Sequence, residues 1–262
     1  MAWSRWNPRE KIALVTGASS GIGREITLQL LVQGATVIAT ARRVERLNAL
    51  MHDANGSPGR LIVVAGDVCD PVHRKSLLKT AESFEKLDLL VNNAGIGAIG
   101  PFEQASPARL EQVMQVNFFA PVELTRTMLP LLNASSDAVI CNISSVLGHR
   151  AVPDKSEYCA SKFAMHGWTD ALRAELAQSN IRVTLVSPST TRSEFFDALV
   201  ETAEGTASKS LGSWPPSRVA KATLKAIAWR RSEVILSLGG KLLVYADRIC
   251  PPLMNWILRS RT

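Results

Sequence analysis

Short apolar runs recur along the chain at Ile12–Val15, Ala35–Ala39, Leu61–Ala65, Leu87–Val91, Ala138–Ile143 and Ile181–Val186. They are four to six residues long and mostly apolar throughout rather than alternating, as expected of strands covered on both faces. Segments with helical spacing lie between them, at roughly 22–33, 43–53, 71–85, 107–131 and 156–179. This β-α-β-α alternation predicts an α/β fold, with a doubly wound parallel central sheet and helices on both faces. The punctuation agrees: Gly34 closes the first helix, and Ser106-Pro107 offers an N-cap followed by proline at the first helical position. From about residue 189 the alternation weakens. The stretch 189–216, rich in Ser, Thr and Gly, is expected to be a loop region on the substrate side. After Glu233–Leu238 comes an apolar and basic tail, 239–262.

Within this framework the segment from Thr16 to Gly23 carries the first chemistry. It reads Thr-Gly-Ala-Ser-Ser-Gly-Ile-Gly, immediately follows the first strand and opens the first helix. Glycines there permit positive φ and let backbone amides approach a pyrophosphate at the positive end of a helix. Tyr158 and Lys162 are four residues apart and share one helix face. A free tyrosine, with a pKa of about 10, is a poor acid-base group near neutrality; a neighbouring ammonium is expected to lower that value. Pro121 has no amide to offer the carbonyl of Asn117, so the helix across them is expected to kink.

The glycine spacing is G-x-x-x-G-x-G, and the turn is followed in order by Asn92-Asn93-Ala94-Gly95, Asn117, Ser145 and Tyr158-Cys159-Ala160-Ser161-Lys162. Over about residues 10–195 the sequence resembles the short-chain dehydrogenase/reductase family. The resemblance implies a single Rossmann-type domain over 1–262 that moves a hydride between NADP(H) and a small carbonyl or alcohol substrate. It implies that Tyr158 is the general acid/base, that Lys162 lowers its pKa and holds the nicotinamide ribose, that Ser145 (not the adjacent Ser144) holds the substrate oxygen, and that Asn117 serves a proton relay. Gly17, Ser19, Ser20, Gly21, Ile22, Gly23, Asp67, Val68, Asn93, Ala94, Gly95, Pro188 and Ser193 are the matching cofactor positions. Ala41 stands where NAD-preferring relatives usually carry aspartate, and Arg42 follows it, so Arg42 is expected to receive the 2′-phosphate of NADP(H). Arg43 reads as a solvated helix-start residue. Ser189 replaces the glycine that usually follows Pro188, which puts the loop contour beside the nicotinamide in question.

Composition narrows the alternatives. With 262 residues, 46% hydrophobic and 20% charged, the chain can bury one large core unaided. Its four cysteines are far apart with no zinc-type spacing, so no metal is expected, and a reducing, cytoplasmic setting is. The start, Met1 to Lys11, is polar and basic, and the apolar run after it is too short for a secretory signal. The net charge of +7 is spread along the chain without a nucleic-acid-binding motif, so no nucleic-acid partner is expected. Val146, Leu147, Val152, Phe195, Phe196, Leu199, Val200 and Trp214 could line an apolar pocket for a lipophilic substrate, although core packing explains such residues equally well. His149 is expected to be a solvated loop residue. The tail, whose uncharged run Ile249–Leu258 is half of the roughly twenty residues a bilayer span needs, has three readings. It packs on its own domain, contacts a second copy (a homodimer is implied by the resemblance), or lies on a membrane surface. A catalytically idle NADP(H)-binding sensor or scaffold is the competing function.

Overall fold

A computed structural model describes residues 5–191, 199–201 and 213–259. Seven strands form one sheet: β1 (Ile12–Thr16), β2 (Thr36–Ala41), β3 (Arg60–Ala65), β4 (Leu89–Asn92), β5 (Ala138–Ile143), β6 (Ile181–Ser187) and β7 (Glu233–Ile235). Their order is β3-β2-β1-β4-β5-β6-β7, and every neighbouring pair is parallel. The helices are α1 (Gly21–Val32), α2 (Val44–Asp53), α3 (Pro71–Glu82), α4 (Pro107–Met114), α5 (Ala120–Ala134), α6 (Ser156–Glu175), α7 (Pro216–Ala228), α8 (Leu238–Ile249) and α9 (Pro251–Arg259).

The apolar runs are continuous because each strand feeds two cores. Ala13, Val15, Val37, Ala39, Leu89 and Val91 face one side, where Ile26 and Leu30 of α1 and Val219 and Ile227 of α7 cover them. The intervening residues Leu14, Ile38, Leu90 and Ile140 face the other, against Leu77 of α3 and Leu124, Met128 and Leu132 of α5. Side chains alternate faces with a period of two, so a strand with both faces covered must be apolar at every position.

The expected helix over 107–131 is two helices joined by a π-helical turn at Gln115–Phe119. The amide of Ala120 bonds the carbonyl of Gln115, five residues back. Pro121 explains the break, because it has no N–H to give the carbonyl of residue 117 in an α-helical ladder. At the front of this unit, the Ser106 side chain caps the amide of Arg109 at 3.2 Å. Gly34, at φ +83°, lies just past the end of α1, where the left-handed conformation suits it. The helix α7 was not among the expected elements, although Val219, Thr223, Leu224 and Ile227 carry its buried stripe.

Candidate active site

The chain runs outward from β1 to β2 and β3, then returns to place β4 on the other side of β1. In such sheets the crevice at the carboxyl ends of the two central strands is where ligands bind. The glycine turn leaves β1 at this point. Gly17 has φ +66° and Gly21 has φ +55°, and α1 begins at Gly21. The unpaired first amides of α1 therefore open on the crevice. A Cβ at Gly23 would overlap the carbonyl oxygen of Gly17 and Nδ2 of Asn93. Asn93 Nδ2 donates to the carbonyl of Thr16 at 2.9 Å, and the amides of Asn93 and Ala94 both donate to Thr16 Oγ1 at 3.0 Å. The Asn93-Ala94-Gly95 segment after β4 is thus tied to the glycine turn, although the two are far apart in sequence.

At the end of β2 the arginines diverge. Arg42 is exposed and its Nη1 lies 3.9 Å from Asp67 Oδ2, while Asp67 Oδ1 accepts from the amide of Cys69 at 2.9 Å. Val68 is buried beside it. Arg43 is exposed at the start of α2, as expected, and also reaches the glycine turn, donating from Nη2 to Ser20 Oγ at 2.7 Å and to Ser19 Oγ at 3.3 Å. A guanidinium over the turn that opens α1 adds positive charge where an anion would sit.

The second half of the site is built on α6. Lys162 is buried, donates from Nζ to the carbonyl of Ile143 at 3.1 Å, and sits 5.7 Å from the centre of the Tyr158 ring. The Tyr158 side chain is hydrogen-bonded to that of Ser145, which also accepts from the amide of Leu147 at 3.1 Å. Asn117 lies in the π-helical turn with its side chain fully engaged. It accepts from the amide of Ile96 at 2.8 Å and donates to the carbonyl of Ile96 at 2.9 Å and to Ser161 Oγ at 3.0 Å. A Cβ at Gly95 would lie 3.2 Å from Asn117 Oδ1 and 3.8 Å from Lys162 Nζ. Residues from β4, the π-helical turn, the end of β5 and α6 therefore converge. Ser144 Oγ faces the carbonyl of Lys162 instead, a packing contact at 3.4 Å.

Burial governs the electrostatics. It pushes the Tyr158 hydroxyl well above the usual tyrosine value, and the hydrogen bond to Ser145 only partly offsets it. It also pushes the Lys162 ammonium down, to about 8. The expected lowering of Tyr158 by Lys162 is thus absent in the protein alone: desolvation moves both groups toward their neutral forms.

Three other expectations change. His149 is not solvated: its side chain is 1% exposed, its Nε2 is 2.9 Å from Ser187 Oγ and 3.2 Å from Glu233 Oε1, and burial leads the effects that lower its pKa to about 4. Several apolar pocket candidates instead pack in cores, Val146 and Leu147 with Ile235 and Val244, Val200 against Ile96 and Val113, and Trp214 against the sheet. Val152 and Leu199 are half-buried, whereas Ser193, Phe195 and Phe196 lie outside the described residues. Pro188 accepts from the amide of Val146 at 2.9 Å, and Ser189, bonded to Ser237 at 2.7 Å, is not in the left-handed region, so this turn does not need glycine. Sequence reasoning missed a buried pair beside the site: Arg109 Nη2 donates to Glu157 Oε1 at 2.7 Å. Its signal was an arginine four residues before Val113, on the apolar face of α4.

Residues 11–204 match the model of the short chain dehydrogenase family. A dehydrogenase/reductase SDR family protein 7-like of Drosophila melanogaster is 31% identical over 274 residues, covering 96% of this chain and 80% of that protein. A short-chain dehydrogenase/reductase from Burkholderia phymatum in complex with NAD superposes with a TM-score of 0.84 at 24% identity, covering 93% of this chain and 96% of its own. A short-chain dehydrogenase from Sphingobium yanoikuyae in complex with NADPH gives 0.80 at 26% identity, covering 94% and 95%. The crevice and the converging residues thus occur in a chain that belongs to the short-chain dehydrogenase/reductase family of oxidoreductases.

Proposed function

We propose that this protein is an NADP(H)-dependent oxidoreductase that interconverts a carbonyl compound and an alcohol. The observation that carries the reading is the convergence of Ser145, hydrogen-bonded to Tyr158, with buried Lys162 and with Asn117. The cofactor reading is supported by the fit of the crevice to a dinucleotide: positive φ at Gly17 and Gly21, a helix start behind them, and no Cβ tolerated at Gly23. Arg42 and Arg43, with Ser20 between the turn and Arg43, supply the charge that favours a 2′-phosphate. Ser19, Ile22, Asp67, Val68, Asn93, Ala94, Gly95 and Pro188 line or brace the same crevice, and Ser193 is assigned by sequence position. NADPH, when bound, supplies the hydride for the carbonyl carbon.

In reduction, Tyr158 donates its hydroxyl proton to the carbonyl oxygen, and Ser145 holds that oxygen by a second hydrogen bond. The high pKa of Tyr158 keeps the proton in place until the oxygen gains charge. Lys162, with its pKa near 8, stabilises the tyrosinate left behind and holds the nicotinamide ribose; Asn117 serves the path by which the proton returns. Reduction is therefore expected to decline as pH rises through about 8 and Lys162 loses its charge. The half-buried Val152 and Leu199 are the remaining apolar candidates for a lipophilic substrate, and the four free cysteines fit a reducing, cytoplasmic setting. A homodimer of single-domain chains is proposed on the family resemblance.

The test is Tyr158→Phe in an assay of NADPH oxidation with a panel of aldehydes, ketones and steroids. The expected outcome is unchanged NADPH binding by fluorescence and a loss of turnover of about 100-fold or more. NADPH binding without turnover in the unsubstituted protein would instead support the idle sensor.

A further inference from the structure

The two terminal helices are firmly attached to the body yet present an uncovered apolar stripe. Arg150 clamps both: its Nη1 is 2.8 Å from Asp247 of α8, and its Nη2 donates to Asn255 of α9 at 2.6 Å. On the inner face Gly240, Val244 and Met254 are buried, Val244 against Val146 and Ile235. Packing on the body, the first expectation for the tail, thus accounts for one face only. On the outer face Leu238, Leu242, Tyr245, Ile249, Leu253 and Trp256 are between 49% and 86% exposed. Their steps of three and four residues place the four from α8 in one narrow row, which Leu253 and Trp256 extend along α9.

The charge beside this row has one sign. Lys241 and Arg248 are exposed on its flank, with the Arg248 guanidinium 6.0 Å from the Tyr245 ring centre. The single acidic residue of the two helices, Asp247, is turned inward onto Arg150. If two copies paired through the stripe about a two-fold axis, antiparallel α8 helices would bring the cationic flank onto itself, and parallel ones would bring it onto a flank without an acid. Neither arrangement gives Lys241 or Arg248 a counter-charge. An anionic lipid surface does so along the whole row, while the aliphatic residues enter the acyl boundary and Tyr245 and Trp256 keep their polar tips at headgroup level.

We propose that the outer face of α8 and α9 docks this protein in-plane on anionic lipid membranes. No helix among the described residues is long and apolar enough to cross a membrane, so the contact is peripheral. The docked face lies one layer from the candidate catalytic serine, because α8 packs on Val146 and the Cβ position of Gly240 is 2.8 Å from Val146 Cγ1 and 3.4 Å from Ser189 Cβ. A lipophilic substrate dissolved in the bilayer would thus be delivered beside the crevice.

The test is co-sedimentation of the full chain with phosphatidylglycerol/phosphatidylcholine vesicles and with phosphatidylcholine vesicles alone. The expected result is binding to the anionic vesicles, loss of it in Leu242→Glu/Ile249→Glu, and a weakening of about fivefold per cation in Lys241→Ala and Arg248→Ala. Quenching of tryptophan fluorescence by brominated lipid should fall in Trp256→Phe. All five positions are on the surface, and retention of the thermal transition shows that the variants are folded. Failure of the unsubstituted protein to bind anionic vesicles overturns the proposal. So does equal binding to both vesicle types, or a dimer in sedimentation velocity that Leu242→Glu dissociates, since a second copy would then cover the stripe. Each readout is independent of turnover, so the docking and the proposed activity can fail separately.

Discussion

Replacing Arg109 with methionine should destabilise the protein by about 3–5 kcal/mol, the range for leaving one member of a buried ion pair alone. Arg109 and Glu157 are 1% and 3% exposed. Nε and Nη2 of the guanidinium donate to Glu157 Oε1 at 3.1 and 2.7 Å, and the carbonyls of Gly100 and Glu201 lie 3.5 and 3.4 Å from Nη2 and Nη1. Burial by itself would raise the Glu157 pKa; hydrogen bonds from Arg109, its own backbone and Ser156 reverse this and hold it below the usual glutamate value. A depressed carboxylate pKa contributes stability above the unfolded value that is lost as pH falls through the folded one. In Arg109→Met that sign reverses, because the orphaned carboxyl gains a proton on folding, and the deficit should be larger at pH 7 than at pH 4. Urea unfolding followed by circular dichroism measures both, with a Tm drop of about 10 °C expected at neutral pH. The double variant Arg109→Met/Glu157→Leu buries no charge, so it should recover most of the loss. If the single substitution costs less than about 1 kcal/mol, or the double costs the sum of the two singles, the pair does not hold α4 to the first turn of α6 as described.

Three further outcomes follow from the site and its surroundings. Arg42→Ala and Arg43→Ala should each weaken NADPH binding by about tenfold or more while leaving NADH binding within about threefold, as measured by fluorescence titration; equal losses would remove the 2′-phosphate assignment. Gly23→Ala should leave a folded protein with little affinity for either nucleotide, because the added carbon collides with Gly17 and Asn93 inside the turn; unchanged affinity by calorimetry would show that the turn can relax. His149, with a folded pKa of about 4 against 6.5 unfolded, binds fewer protons when folded, so its contribution is complete above pH 6.5 and fades as pH falls. The protein should lose about 2 kcal/mol between pH 7 and 5 through this residue, a slope absent in His149→Gln.

Six of the seven strands were legible because apolar residues on both faces leave a signature within the strand itself, and the glycine turn because its backbone needs are local; β7, three residues long, leaves no such run. What escaped depended on contacts made across the fold. Arg42 and Arg43 are neighbours, and only the path of the chain leaving β2 decides which one bends back onto Ser20. His149 lies in a glycine-containing loop that resembles surface, but Ser187 and Glu233, from the last two strands, enclose it. The Ser145–Tyr158 contact follows the family's spacing, whereas the direction of the Tyr158 shift required knowing how much solvent the folded chain excludes. The tail's apolar periodicity was visible; which of its faces is covered depended on Arg150, far upstream.

The π-helical turn at Gln115–Phe119 is in effect an α-helix with one residue too many. Deleting one residue there would remove the π-helical register, while Pro121 and Pro130 would still interrupt the ladder from Pro107 to Ala134. It would also rotate α4 by about 100° relative to α5, swinging Arg109 away from Glu157 and carrying Asn117 off Ile96 and Ser161. The surplus residue therefore sets the phase between two helices, and a chain one residue shorter at this point would be the one that no longer assembles the site.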